Sequence, residues 1–290
     1  MLTGLGALMK AGKEYSISVV LNVYKNDRAD LFEQALKSML NQTHPADEIL
    51  ILRNGPVPEA IEAILDKYSS KFACISIVKL PDMLKRGSAR HKGILRAKNK
   101  YVALMDADDE SCKNRLEVQI KKFKEEELHV VGGQAKIIDY DRKVSSVRFV
   151  PLEHNEIIKF GKRRYPFNNV TLMFDREKYC DLNYEQTGNL IEDYDLFLEF
   201  VKKSWKMANV KDEIVEVRFG LRDYDRRHGL AYLKEDLSIQ AKKLKIGYIS
   251  IWQYFVNVIL RIFARLFLPK KLVALFVENF FRSNSLEFEP

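Results

Sequence analysis

Residues 101–110 read YVALMDADDE, in which a mostly apolar, strand-like segment runs directly into a cluster of carboxylates. Asp106, Asp108 and Asp109 stand at the end of this segment. Crowded carboxylates repel one another and lose hydration when they are withdrawn from water, so a positive partner is expected nearby. Carboxylate oxygens suit Mg²⁺ or Mn²⁺, and Mg²⁺ is commonly held by one or two carboxylates plus substrate phosphates. The alternative is a solvated turn that supplies an acidic N-cap to a helix predicted over 113–125.

Alternating strand and helix patterns must position this cluster. Apolar runs predict strands over 17–23, 48–53, 75–80 and 101–105, and helical spacing predicts helices over 29–41, 58–70 and 87–98. This order predicts a largely parallel sheet that is covered on both faces. Ligands of such sheets bind outside the carboxyl ends of the strands, which places Tyr24, Asn54 and 106–109 on one rim.

Composition limits the class of protein. A chain of 290 residues with 47% hydrophobic residues can bury a sizeable core, which excludes a disordered protein. Its three cysteines are far apart and lack a CxxC spacing, so a disulfide framework and a zinc site are both disfavoured and a reducing compartment fits. The apolar run at the N-terminus is too short for a signal peptide, which predicts a cytoplasmic protein.

The net charge of +8 favours anionic partners, which include nucleic acid, a membrane surface or a phosphorylated small molecule. Nucleic acid is disfavoured because the basic residues are not interleaved with aromatic residues along the predicted rim. The sequence contains neither a GxGxxG after the first strand nor a GxxxxGKS, so the phosphate cradles of ordinary dinucleotide folds and P-loop NTPases are both missing.

Five segments together resemble the family 2 glycosyltransferases of bacterial surface-polysaccharide synthesis in order and spacing. They are SVVLNVYKN (18–26), DEILILRNGP (47–56), RGSARHKGILRAKNKYVALMDADD (86–109), NNVTLMF (168–174) and IEDYDLFLEF (191–200). The resemblance covers residues 16–230. It implies an α/β GT-A fold, the nucleotide-diphospho-sugar transferase fold, and transfer of a sugar from a nucleotide-diphospho-sugar with inversion at the anomeric carbon.

The resemblance assigns roles to the acidic cluster as a DXD motif. Asp108, together with Asp106, would bind the Mn²⁺ or Mg²⁺ that bridges the donor's pyrophosphate, and Asp106 would also approach the nucleoside. The cation would neutralise charge that develops on the departing nucleoside diphosphate. Arg90 matches the family's basic residue after the third strand and would steady the donor phosphates or pair with the aspartates. A purely structural ion pair is the alternative for Arg90.

Asp193, preceded by Glu192, matches the family's catalytic base. It would remove the proton from the attacking hydroxyl of the acceptor on the face opposite the leaving group. An unperturbed aspartate, with a pKa of about 3.9, is a weak base, so partial burial or the neighbouring Glu192 should raise that value. The alternative is that Asp193 only favours the first turn of a helix predicted over 191–202, where the macrodipole attracts an acid.

The chain departs from the family pattern at three positions. The second strand ends in Asn54 where an acidic pair is usual, and Asn54 could still donate to and accept from uracil or thymine. Asn22 stands where proline is common, and Asn169 stands where histidine is frequent. Asn22, Tyr24 and Asn54 are therefore predicted to contact the donor, with UDP- or dTDP-linked sugars favoured.

A basic segment, VEVRFGLRDYDRRHGLAYL (215–233), follows the last predicted core strand. Arg218, Arg226 and Arg227 lie in it beside two glycines, and such a loop suits a lid that orders over donor phosphates. Arg226 and Arg227 are predicted to contact the donor, and His228 is a weaker candidate for an extra metal ligand. The alternative is a solvated basic surface.

The segment IGYISIWQYFVNVILRIFARLFLP (246–269) has the length of a membrane span but carries a polar stripe. Gln253, Asn257, Arg261 and Arg265 recur every fourth residue and share one sector of the helix. A spanning helix would place two arginines in hydrocarbon, so a helix lying flat is favoured, with the stripe at the headgroups. The aromatic residues predicted to face lipid are Trp252, Tyr254, Phe255, Phe263 and Phe267. The alternative is packing against the catalytic domain or, as a homodimer contact, against a second subunit.

These patterns predict an N-terminal extension (1–15), a catalytic domain (16–230, divided into a nucleotide-binding half to 110 and an acceptor-binding half) and a C-terminal amphipathic helical region (231–290). The predicted enzyme is a metal-dependent hexosyl- or N-acetylhexosaminyltransferase, peripheral on the inner face of the cytoplasmic membrane. Its acceptor would be a glycan or lipid-linked glycan. The rival functions are a sugar-nucleotide nucleotidyltransferase and an inactive glycosyltransferase-like module that binds membrane or partners.

Overall fold

The computed structural model describes residues 15–139, 142–182, 191–218 and 230–266. Its first half alternates strand and helix: β1 (Ile17–Tyr24), α1 (Ala29–Leu40), β2 (Glu48–Asn54), α2 (Glu59–Lys71), β3 (Ile75–Leu80), α3 (Arg86–Arg96) and β4 (Tyr101–Asp106). Each of the seven predicted elements is present within two residues of its predicted bounds. The apolar spacing therefore predicts this half of the fold well, because β1, β2 and β4 are buried between helices.

The second half is less regular. Its elements are β5 (Glu110–Ser111), α4 (Arg115–Glu125), β6 (Val130–Ile138), β7 (Val144–Arg148), α5 (His154–Gly161), a 3₁₀ turn (Asn169–Thr171), β8 (Met173–Asp175), α6 (Arg176–Cys180), α7 (Glu192–Lys202) and β9 (Met207–Arg218). The predicted helices over 113–125 and 191–202 correspond to α4 and α7. Asn114, the N-cap residue of α4, makes no side-chain capping bond, so the acidic turn does not cap that helix.

One mixed sheet runs through both halves in the order β3-β2-β1-β4-β8-β6-β9-β5, and β7 pairs with β6. The first four strands in this order are parallel, whereas β8 runs antiparallel to both β4 and β6. Strands β6 and β9 are again parallel. The sheet is therefore parallel around the predicted rim and mixed beyond it.

Two apolar clusters cover the two faces of the sheet. Alternation along β1 sends Val19 and Leu21 into the cluster under α1, α2 and α4, and sends Val20 into the cluster under α3, α5 and α7. Asn22 and Tyr24 lie on the same face as Val20, so the polar end of β1 points to the side where α3 and α7 pack. This face carries the candidate site.

Two further helices, α8 (Leu230–Lys245) and α9 (Ile251–Leu266), complete the described chain. Ile239 of α8, and Tyr248 and Ile249 in the connection between the helices, belong to the same apolar cluster as Phe197 of α7. The C-terminal helices therefore share the core of the catalytic domain. Among the described residues, no helix combines the length and hydropathy that crossing a membrane requires.

The prediction for the polar stripe of α9 is wrong at its centre. Asn257 is only 5% exposed and donates to the Lys162 carbonyl, and Arg261 pairs with Asp236 of α8 at 2.7 Å. Both residues therefore hold the helix against the protein, since a buried amide or guanidinium needs a partner there. Tyr254 also packs on the protein side, against the core cluster.

The opposite face of α9 is apolar and exposed, as predicted for Trp252, Phe255 and Phe263. Ile251, Val256, Ile259 and Leu260 extend this surface. The side chain of Arg265 and residue Phe267 lie outside the described part of the chain.

Candidate active site

The carboxyl ends of three neighbouring strands bring the predicted rim residues side by side. Asn22 of β1 pairs in register with Asp106 of β4, and Tyr24 pairs with Asn54 of β2. Asn22, Asn54 and Asp106 all point to the face that α3 covers, because they follow the alternation of their strands. The sheet thus assembles a polar edge from residues that are 84 positions apart in the chain.

Arg90 links the two acidic motifs. Its guanidinium donates to the Asp106 carboxylate and lies 3.9 Å from Asp193, and its side chain is only 7% exposed. The contact with Asp106 matches one of the two arrangements expected of Arg90, and its role towards the donor phosphates stays a prediction. Residues from the strand end and from α7, far apart in sequence, therefore meet at one buried cation.

The ion pair sets the protonation of both partners. Burial alone would raise the pKa of Asp106, but Arg90 and Arg86 hold it below its ordinary value. Burial alone would lower the pKa of Arg90, but Asp106 and Asp193 hold it above its ordinary value. Asp106 is thus a carboxylate and Arg90 is a cation throughout the neutral range.

Glu192 and Asp193 begin α7 and face the N-terminus of α3. Burial, reinforced by the charge of Asp193, raises the pKa of Glu192 to about 7, although Arg90 and the Gly87 backbone N–H act against the rise. The Asp193 side chain is 43% exposed, so it is accessible to solvent. The structure therefore pairs an accessible carboxylate with a second carboxyl group that titrates near neutrality.

Asp27, which the sequence analysis missed, lies close to the acidic cluster. Its carboxylate accepts from the Tyr24 backbone N–H at 2.8 Å, which folds the β1–α1 loop over the rim. Burial raises its pKa to about 7, and the charges of Asp108 and Asp106 contribute to the rise. An acid four residues after the end of an apolar run, in YKND, was the available signal.

Arg86 was also missed. It begins α3, and its charge lowers the pKa values of Asp27, Asp106 and Glu192. Its place on the same helix as Arg90, one turn earlier, puts two cations on the helix end that faces the site.

Arg218 supports the acidic turn from behind. Its backbone N–H donates to the Asp109 carboxylate at 2.9 Å, and its guanidinium donates to the Asp108 carbonyl at 2.7 Å and to Gln34 at 2.7 Å. Burial, with the charges of Asp108 and Asp106, raises the pKa of Asp109 well above its ordinary value. Arg218 thus shapes the turn, whereas the sequence analysis grouped it with the basic loop. Arg226, Arg227 and His228 lie outside the described residues.

Another buried arginine, Arg115, stabilises β4. It donates to the Leu104 carbonyl at 2.7 Å and to the Val170 carbonyl at 3.0 Å, and burial lowers its pKa to about 10. These bonds join β4 to the 3₁₀ turn in front of β8. The strand that ends in the acidic cluster is therefore fixed on both sides.

Asn22 and Asn54 differ in what they offer a ligand. The Asn22 side-chain oxygen is buried and has no hydrogen-bond partner among the described residues. Asn54 is already paired, because its amide donates to the Leu84 carbonyl at 2.9 Å and its oxygen accepts from the Leu84 backbone N–H at 2.8 Å. Asn54 therefore shapes the loop before α3, and Asn22 presents an unsatisfied acceptor at the rim.

Tyr165 and Asn169 line the side of the site next to α7. The Tyr165 hydroxyl lies 3.4 Å from the Asn169 side-chain oxygen, and its ring packs against Tyr194. Burial raises the pKa of Tyr165 well above its ordinary value, and the charge of Asp193 adds to the rise. An aromatic ring and an amide therefore stand close to the carboxylate predicted to act as base.

The residues present fit a hard divalent cation. Within the described ranges no set of three His, Cys, Asp or Glu side chains is preassembled around a point. Asp108 is exposed, and its charge raises the pKa values of Asp27 and Asp109, so a cation beside it would relieve repulsion among three carboxylates. One or two carboxylates plus substrate phosphates are a usual ligand set for Mg²⁺.

Solved structures with the same fold carry nucleotide sugars. S. aureus TarS 1–349 in complex with UDP-GlcNAc aligns with a TM-score of 0.62 at 15% identity, over 86% of this chain and 73% of that one. The mannosyltransferase PcManGT from Pyrobaculum calidifontis, in complex with GDP-Man and Mn²⁺, aligns with a TM-score of 0.60 at 13% identity, over 93% and 82%. At these identities the alignments establish the fold, which is the predicted GT-A fold.

Sequence comparison identifies relatives at higher identity. The amylovoran biosynthesis glycosyltransferase AmsE of Erwinia amylovora is 30% identical over 243 residues, which make up 82% of this chain and 91% of AmsE. The UDP-Gal:alpha-D-GlcNAc-diphosphoundecaprenol beta-1,3-galactosyltransferase of Escherichia coli is 25% identical over 250 residues, 86% of this chain and 90% of that enzyme. The profile described as Glycosyl transferase family 2 matches residues 18–178, which include β1, Arg90 and the DADD turn. With more than half of its length in that match, this chain belongs to glycosyltransferase family 2.

Proposed function

We propose that the protein is an inverting, metal-dependent transferase that moves a sugar from a UDP- or dTDP-linked donor to a hydroxyl of a lipid-linked glycan during assembly of a cell-surface polysaccharide. The observation that carries the proposal is the Arg90 guanidinium, which joins Asp106 on the donor side to Asp193 on the opposite side. This contact supports the proposal, because a single displacement requires a leaving-group site and a base on opposite sides of the anomeric carbon.

The donor lies along the rim of the sheet in this proposal. The unsatisfied oxygen of Asn22 accepts from the nucleobase or ribose, Tyr24 flanks the nucleoside, and Asp106 approaches the ribose. Arg86 and Arg90 are near enough to the acidic cluster to neutralise diphosphate charge. Arg226 and Arg227 remain proposed donor contacts from the basic segment after β9.

Asp108, with Asp106 beside it, would hold Mn²⁺ or Mg²⁺, which as a Lewis acid would stabilise negative charge on the leaving diphosphate. Asp193 accepts the proton of the acceptor hydroxyl as its oxygen bonds to the anomeric carbon. The bond from that carbon to the diphosphate oxygen breaks, and the electron pair leaves with the nucleoside diphosphate. Glu192, with its pKa near 7, is positioned beside Asp193 to tune it or to share the proton.

The enzyme test compares nucleotide sugars for release of nucleoside diphosphate, with Mn²⁺, with Mg²⁺ and with EDTA. We expect Asp108→Ala and Asp193→Asn each to reduce turnover at least about a hundredfold, since general-base catalysis alone is worth about 10²–10⁴. Asp66→Asn, on the exposed side of α2, is the matched control and should leave turnover unchanged. Equal release by the wild type and both site variants would refute the assignment, and an inactive wild type would favour a binding module.

We further propose that α9 rests on the inner face of the cytoplasmic membrane through its apolar surface. Trp252 is 74% exposed, and Phe255, Ile259 and Phe263 are each more than half exposed. Exposed apolar surface of this kind, on a helix whose polar residues already bond the protein, is typical of an interfacial helix. Such a location would bring the site to a lipid-linked acceptor, the kind of substrate that the name of the E. coli relative describes.

The membrane test uses co-sedimentation with phosphatidylglycerol vesicles. Removing the whole helix would also strip Asn257 and Arg261 from their partners, so the point variant Phe255→Glu is the better probe. Burial of a Phe side chain is worth about 1.5–3 kcal/mol, so binding should weaken at least about tenfold. Leu95→Glu, at an exposed apolar position on α3, is the control. If Phe255→Glu leaves vesicle binding intact but dissociates a dimer, the surface is a homodimer contact instead.

A further inference from the structure

The first turn of α7 has little local support for the two carboxylates it carries. Ile191, at the N-cap, makes no side-chain capping bond, and the turn contains three acids, Glu192, Asp193 and Asp195. The Tyr194 and Asp195 backbone N–H groups donate to the Ile191 carbonyl, but like charges within one turn repel. The position of this turn must therefore be fixed by other elements.

Helix α8 supplies two lysines to the residues that directly follow Asp193. Lys242 Nζ donates to the Asp195 carboxylate at 2.6 Å. Lys243 Nζ donates to the Tyr194 hydroxyl at 2.8 Å and lies 4.2 Å from the centre of that ring. The Tyr194 hydroxyl in turn donates to the Gly161 carbonyl at 2.6 Å. Both residues after Asp193 are thus anchored to α8.

Lys243 is an unusual choice for this position. Its side chain is fully buried, and its two acceptors, the Tyr194 hydroxyl and the Lys162 carbonyl at 3.2 Å, are both neutral. The charged groups that face it are Arg261 of α9 and Asp236 of its own helix, and burial together with Arg261 lowers its pKa to about 7. A buried amine of this kind costs stability, and an apolar side chain would pack there more favourably. The presence of this lysine indicates that it positions neighbouring residues.

We propose that Lys242 and Lys243 are positioning residues that hold the first turn of α7 so that Glu192 and Asp193 face Arg90. The inference rests on the proposed function, because it takes these carboxylates to be the ones that act on the acceptor.

The anchor extends to the helix with the exposed apolar surface. The Lys162 carbonyl that accepts from Lys243 also accepts from Asn257 of α9 at 3.0 Å, and Arg261 of α9 bonds to Asp236 of α8 at 2.7 Å. The two C-terminal helices therefore act on α7 as one hydrogen-bonded unit.

The test variant is Lys243→Met, which removes the amine and keeps the length of the side chain. We expect kcat to fall at least tenfold, the KM for the donor to stay within twofold, and the melting temperature at pH 8 to remain the same or rise. Hydrogen exchange of amides in the first turn of α7 should quicken about tenfold, with other strands and helices unchanged. Tyr194→Phe should lower kcat similarly, and the double variant should be no worse than either single variant, because both break one chain of bonds.

Lys234→Met, at an exposed position on the same helix, is the control and should match the wild type. A kcat for Lys243→Met within twofold of the wild type would overturn the inference. A lower kcat together with a higher KM for the donor and a lower melting temperature would also overturn it, because this combination indicates general destabilisation. If the wild type turns over no donor, the proposed function fails, and unchanged exchange in α7 would then separately refute the anchor.

Discussion

The raised pKa of Glu192 predicts a stability change that depends on pH. Burial and the charge of Asp193 move this value from 4.5 to about 7. Between these two values the folded protein binds a proton at Glu192 that the unfolded chain has already released. The free energy of unfolding therefore falls as pH rises through this window, and the loss is complete above pH 7.

Glu192→Gln removes this titration, so it isolates the effect. A pKa difference of about 2.5 corresponds to about 3 kcal/mol, and partial exposure of the site reduces this to about 1–2 kcal/mol. The variant should match the wild type near pH 4.5 and exceed it above pH 7. For a chain of this size the advantage is a few degrees in melting temperature, on the order of 2–4 °C per kcal/mol.

The assay is thermal unfolding of wild type and Glu192→Gln at pH 5 and pH 8, with Glu199→Gln on the same helix as a control. Glu199 bonds Lys202 at the surface and should show no gain at pH 8. If Glu192→Gln raises the melting temperature equally at both pH values, or only at pH 5, the reasoning is refuted. If Glu192 takes part in proton transfer, Glu192→Gln should also lose the limb of the pH–rate profile that lies near pH 7.

Three further results are expected. Asp27→Asn should raise the melting temperature at pH 8 more than at pH 5, because the buried carboxyl of Asp27 is ionised only above pH 7, and should weaken Mn²⁺-dependent donor binding in a thermal-shift titration. Arg90→Met should leave Asp106 buried without its cation and lower the free energy of unfolding by about 3–5 kcal/mol, which urea titration would measure; a loss below 1 kcal/mol would contradict a buried ion pair. Gly93→Ala would place a Cβ 2.5 Å from Val20 Cγ1, and calorimetry should show a loss of about 1–3 kcal/mol.

The sequence was most informative where local pattern and environment agree. Strands β1, β2 and β4 are buried on both faces, so their apolar runs stand out from the helices between them and predict both the elements and the rim. The family resemblance predicted that Arg90 would steady the donor phosphates or pair with the aspartates, and the second of these contacts is present. The contact of Arg90 with Asp193 depends on how α7 packs against α3, which no spacing in the sequence encodes.

The sequence was least informative about polar and charged residues that could contact either solvent or the protein interior. The polar stripe that includes Asn257 and Arg261 was predicted to contact lipid headgroups. That prediction failed because a helical period shows only that a face is polar and not what the face contacts. Arg218 resembled its basic neighbours in sequence, yet the end of β9 places it under the acidic turn. Asp27 gave no signal beyond one acid in a loop, since its proximity to Asp108 arises from the fold of the β1–α1 connection.

The bonds from Arg218 to the acidic turn also bear on how the chain is made. The donor groups of Arg218 lie 109 and 110 residues after the oxygens of Asp109 and Asp108 that they contact. At about 5–20 residues per second, a ribosome needs roughly 5–20 s to add that length. Strands β1 to β4 of a nascent chain can fold during this interval, but the acidic turn lacks its hydrogen bonds to Arg218 until β9 has been synthesised. Truncated translation products that end before β9 would therefore carry the parallel strands without a firmly shaped turn, and so would compete poorly with the finished enzyme for nucleotide sugar.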